Sequence, residues 1–86
     1  MNRIHALDTE YLRPDRTIET ILVQQGDESK VFWIYNFEGI HFRVFEKLLD
    51  VHHFLNDATE APYSFSSEEE LDEFLWDVDV RTVAGR

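Results

Sequence analysis

The chain has 86 residues, 43% of them hydrophobic, including seven Phe, three Tyr and two Trp, and carries a formal net charge of −10. That length supports one domain, read as residues 1–86, and its aromatic rings supply the area a small core needs, which excludes disorder of the whole chain. The absence of cysteine excludes disulfides, thiolate metal sites and cysteine nucleophiles, and the acid excess disfavours direct contact with nucleic-acid phosphates or anionic membranes.

The negative charge is unevenly spread. Residues 1–43 hold five basic and seven acidic groups, whereas residues 44–86 hold three basic and eleven acidic. Between residues 57 and 79 there are nine carboxylates and no basic side chain. Solubility alone accounts for such a surface; the functional alternative is a basic partner. The opening residues, Met1 to His5, lack the apolar stretch of a signal peptide. The longest clearly apolar run, residues 31–35, is too short to span a bilayer, and the expected location is cytoplasmic.

Taken in chain order, residues 1–16 are mixed in character, are punctuated by Pro14 and read as an N-terminal arm. Ile4, Leu7, Tyr11 and Leu12 give it an apolar side, either as a short helix or as a segment lying on the body. Residues 17–25 are rich in β-branched side chains and read as a strand. A turn at Gly26-Asp27-Glu28-Ser29 leads to a second strand over residues 30–37. A further turn at Glu38-Gly39 leads to a third over residues 40–45. Three strands joined by two tight turns make an antiparallel meander.

Even-length loops assign each side chain to a face. One face then collects Ile18, Leu22, Val31, Trp33, Tyr35, Phe37, Ile40, Phe42 and Val44. The other collects Glu19, Ile21, Val23, Gln25, Phe32, Ile34, Asn36, His41, Arg43 and Phe45. The first is almost wholly apolar and requires cover; the second has an apolar centre and a polar rim.

Apolar residues at 45, 48, 49 and 55, with His52, have helical spacing, which predicts a short helix over residues 46–55 ended by Asn56-Asp57. Residues 58–62 connect it to a short edge strand at residues 63–65. Ser66-Ser67-Glu68-Glu69-Glu70 is a helix start with capping-box spacing, its carboxylates placed where the helix dipole favours them. Leu71, Phe74, Leu75 and Val78 form the buried stripe of this second helix. Glu68, Glu69, Asp72, Glu73 and Asp77 point outward, and residues 80–86 are expected to fray. The fold class is α+β, in the order β-β-β-α-β-α: a three-stranded antiparallel meander plus a short fourth edge strand, with both helices packed on one face.

No catalytic signature emerges. His52, His53 and Asp50, with His41 and His5 elsewhere, suggest a metal site. Adjacent helical histidines diverge by about 100°, however, and Asp50 with His53 makes only two ligands. His52 is therefore read as a core-boundary residue and His53 as a solvent-facing one. Ser64, Ser66 and Ser67 lack a nucleophile elbow, and three scattered glycines make no phosphate loop. The expectation is a non-enzymatic protein-binding or regulatory module without catalytic residues, metal or cofactor. Its candidate interface is Ile21, Val23, Phe32 and Ile34 with Arg43, an apolar patch on the second sheet face that a second copy of the chain would pair with. The alternative cover for that patch is the N-terminal arm. A candidate acidic binding face, Glu69, Asp72, Glu73 and Asp77, fits a basic protein partner. Its rows space charge by about 6 Å, comparable with phosphate spacing along one DNA strand. The rival function is accordingly a phage-type nucleic-acid mimic that inhibits a basic DNA-binding protein.

Overall fold

The computed structural model describes residues 2–13, 15–57 and 59–81. It is an α+β arrangement of one antiparallel sheet and two helices: β1 (Arg3–Arg13), β2 (Arg16–Gln25), β3 (Glu28–Phe37), β4 (His41–Phe45), α1 (Leu48–Leu55), β5 (Tyr63–Phe65) and α2 (Glu68–Asp77). The strands lie in the order β1-β2-β3-β4-β5, so each pairs with its neighbour in sequence. The sheet thus has five strands rather than three plus one. The expected arm is β1, an edge strand whose register with β2 shifts between Ala6 and Asp8 and again between Tyr11 and Arg13. Such bulges twist an exposed edge away from further pairing.

Two hairpin loops of different parity decide the rest. The β2–β3 loop is the two-residue turn Gly26-Asp27, with Gly26 at φ 61°, and pairs Ile18 with Tyr35 and Ile21 with Phe32. This is the expected phase. The β3–β4 loop has three residues instead of two, Glu38 and Gly39 both taking positive φ (55° and 73°). Its backbone N–H groups are held by Asn36 Oδ1, which accepts from Gly39 at 2.8 Å, and by the Asp15 carbonyl, which accepts from Glu38 at 2.9 Å. The extra residue shifts β4 by one position, so Phe42 pairs with Asn36, Val44 with Ile34, Arg43 with Tyr35 and Phe45 with Trp33. Trp33 and Phe42 therefore point to opposite faces, and the expected assignment of β4 is inverted.

The inversion makes the sheet apolar on both sides, and each side takes one helix. On one face Ile21, Val23, Phe32, Ile34, Phe42 and Val44 are buried with Leu71, Leu75 and Val80, beneath α2. On the other, Ile18, Tyr35 and Phe45 are buried with Val51 of α1, and Trp33, Phe37 and Phe54 pack against them. The helices occupy opposite faces, not one.

α2 follows its sequence signals closely. Ser67 is its N-cap: the hydroxyl accepts from the Glu70 N–H at 3.2 Å, and the Glu70 carboxylate accepts from the Ser66 N–H at 3.2 Å. Phe74 meets Phe32 edge-on at 5.8 Å and packs against Tyr63 (4.5 Å) and Phe65 (5.2 Å). Asn2 ties the helix end to the sheet. Its buried amide donates to the carbonyls of Leu75 (3.0 Å) and Val78 (2.9 Å) and accepts from Gln25 Nε2 at 3.1 Å. Val80, within the expected fraying tail, is buried in the same core; residues 82–86 lie outside the described residues.

α1 starts two residues later than expected and docks through a different stripe. Val51 is buried and Phe54 half-buried, with the Phe54 ring 5.1 Å from Tyr35 and 5.2 Å from Phe45. Leu48, Leu49 and Leu55, expected to face the core, are exposed, Leu49 at 63%. His52 is exposed as well as His53, so neither lies at a core boundary. No helix is long and apolar enough to cross a membrane among the described residues.

Candidate functional site

The one-residue shift of β4 rearranges the candidate interface. Ile21, Val23, Phe32 and Ile34 remain on one face, but α2 covers them, and Val23, Phe32 and Ile34 are 0% exposed. They form no free patch on which a second copy can dock. Arg43 leaves the group altogether: it pairs with Tyr35 on the α1 face.

The cover provided by α2 is incomplete. Between α2 and the sheet runs a groove of about 400 Å³ whose apolar floor includes Ile4, Ile21, Ile34, Phe42, Leu71 and Leu75. Strand pairing builds this floor: Ile4 lies beside Val23, Glu19 beside Ile34 and Asn36 beside Phe42, all on the face that α2 overlies. Three carboxylates, Glu19 from β2 and Glu68 and Asp72 from α2, stand along it together with the Asn36 amide. Among the described residues no basic side chain lines it. Trp76, one helical turn beyond Asp72, also borders the groove and is 43% exposed.

Two of the expected interface residues, Ile21 and Ile34, thus meet one of the expected acidic residues, Asp72, in a single depression. Val23 and Phe32 lie in the core beyond it. Glu69, Glu73 and Asp77 are exposed but do not line it. Glu19, Asn36, Glu68 and Trp76 are the lining residues that sequence reasoning did not single out. The legible signal was Trp76, a large aromatic at a helix position between outward carboxylates, where a packing role does not account for it.

An apolar floor beside carboxylates can take a side chain that is part apolar and part cationic. Lysine and arginine carry long apolar stems and a charged head, so a stem can lie on the floor while the head meets the rim. A half-exposed indole offers a ring face to the same cation. Among the described residues no group of three histidine, aspartate or glutamate side chains is placed to hold a metal ion. No family model matches this sequence, and neither the curated proteins nor the solved structures provided a match.

On the same face, next to α2, Tyr63 pairs with Val44 beside the ion pair of Lys30 with Glu46. Burial, and then the negative charge of Glu46, push the Tyr63 phenol above its ordinary pKa.

Proposed function

We propose that the chain is a small, acidic, non-enzymatic protein-binding or regulatory module that holds a basic, amphipathic segment of a partner protein in the α2 groove. The observation that supports this reading is the composition of the groove. It has an apolar floor, three carboxylates, an exposed indole at its lip and, among the described residues, no cationic side chain in its lining. The carboxylates of α2, exposed beside the groove, add to the field that steers a basic partner toward it.

The test is affinity for a peptide of alternating lysine and leucine, compared with one of alternating glutamate and leucine. The lysine peptide binds, weakens with salt as charge pairing requires, and loses at least about tenfold in affinity when Glu19, Glu68 and Asp72 are changed to lysine. The control changes Asp8, Glu10 and Asp27 to lysine, which alters net charge equally outside the groove. Equal loss in both variants would reduce the effect to net charge and remove the groove from the account.

A second reading, the nucleic-acid mimic, draws on the exposure of Glu69, Asp72, Glu73 and Asp77 along α2. Changing Glu69, Glu73 and Asp77 to lysine separates the two. A mimic loses its basic partner, whereas groove binding survives through Glu19, Glu68 and Asp72.

A further inference from the structure

The opposite face of the sheet carries a second, positively charged depression. Strand pairing sets Arg16 beside Phe37, Phe37 beside His41, and Tyr35 beside Arg43, while Phe54 of α1 closes one end. These six side chains line a cleft of about 220 Å³. In a chain with eighteen carboxylates and eight Lys and Arg, two guanidiniums around one cavity are an unusual concentration of positive charge.

Among the described residues no carboxylate oxygen lies within 4.0 Å of Arg16 or Arg43, the ion pairs being Lys30 with Glu46 and Arg81 with Asp79. Arg43 donates through one amino group to the Phe42 carbonyl at 3.1 Å. Glu60 borders the adjoining cavity with Arg43 without pairing to it. The Arg16 guanidinium lies 5.0 Å from the centre of the Phe37 ring, and its Nε is buried without a hydrogen-bond partner among the described residues. A buried charged donor left unpaired is costly and rare in folded proteins. The rings give the cleft a flat aromatic lining: Phe37 and His41 stack at 5.9 Å, and Phe54 meets Tyr35 edge-on at 5.1 Å.

We infer that this cleft is a binding site for an oxyanion carried on a flat aromatic body, the anion lying between Arg16 and Arg43 and the ring against Phe37 and Tyr35. Guanidinium forks match carboxylate and phosphate oxygens, and their bonds to such groups are charge-assisted. The site is on the face away from the α2 groove and stands or falls independently of it.

Phenyl phosphate and benzoate distinguish the two head groups, and inorganic phosphate tests the ring. Binding is followed by amide and side-chain NMR shifts on the intact chain. At least one aryl anion binds saturably, more tightly than inorganic phosphate, with shifts at residues 16, 35, 37, 41 and 43. Arg16→Gln and Arg43→Gln each weaken it by at least about tenfold, while both variants keep the wild-type spectrum elsewhere. The tighter of the two aryl anions identifies the head group. Absence of saturation by either up to about 10 mM, or binding unchanged in Arg43→Gln, overturns the inference. Should Arg16→Gln fail to fold, Arg43→Gln alone decides it.

Discussion

Phe32→Ala tests the placement of α2 more sharply than any surface change. Phe32 is fully buried at the centre of its face and meets Phe74 edge-on. Truncating a buried phenylalanine costs about 3–5 kcal/mol. Loss of the ring pair, itself about 0.5–1.5 kcal/mol, puts this site toward the upper end. A domain of this size has a total stability of roughly 4–13 kcal/mol. The substitution therefore removes roughly a third of it if the domain lies at the top of that range, and all of it at the bottom. In urea, with a slope of about 1–2 kcal/mol per molar, the midpoint falls by roughly 2–5 M. Circular dichroism at far-ultraviolet wavelengths measures this directly. A midpoint that moves by less than about 0.5 M would mean that Phe32 is not beneath α2. The groove between α2 and the sheet would then be lost with it.

Other consequences follow from single contacts. Trp76→Ala, at an exposed position, changes stability by no more than about 1 kcal/mol while weakening the lysine–leucine peptide at least about tenfold; urea melts and a binding isotherm on the same sample check both. Ser67→Ala removes the cap of α2 and costs about 1 kcal/mol, read from the urea midpoint, whereas Ser66→Ala, whose contribution is a backbone N–H, costs less. Asn2→Ala leaves the Leu75 carbonyl and its neighbours without their buried donor and destabilises by about 1–3 kcal/mol, with faster amide exchange at the end of α2. The raised pKa of Tyr63 means that the unfolded chain loses its phenolic proton first. Its contribution to stability is therefore whole below pH about 10 and is lost as pH rises through the higher folded value. Tyr63→Phe flattens that alkaline decline, and stability curves that stay parallel above pH about 10 would contradict the assignment.

Local chemistry was legible wherever it acted locally. The cap at Ser67, the buried stripe of α2 and the β2–β3 phase follow from residues within one turn of each other; the loop is the two residues Gly26-Asp27 rather than the expected four, which leaves its even parity and hence the phase unchanged. The β4 phase was not legible, because it depends on Glu38 entering positive φ, a conformation uncommon for any residue but glycine. What supports it is contact with distant Asp15. In α1 the leucines at 48, 49 and 55 outnumber Val51 and Phe54, yet the second set docks. The choice belongs to Tyr35 and Phe45 on the sheet, which meet the Phe54 ring. β1 was hidden for another reason. From residue 5 to residue 12 its side chains are exposed on both faces, so its sequence lacks the sustained alternation of a strand with one covered face. The groove depended on all of these, since Glu19, Asn36 and Asp72 come from three elements that only the final register brings together.

The central claim is that a cationic segment occupies the space between α2 and the sheet. A two-dimensional amide spectrum recorded while the lysine–leucine peptide is added addresses it residue by residue. The account predicts shifts concentrated at residues 19, 36, 68 and 72 and at the Trp76 indole, with residues 16 and 43 unmoved. Shifts confined to residues 69, 73 and 77, or spread evenly over the acidic surface, would contradict it.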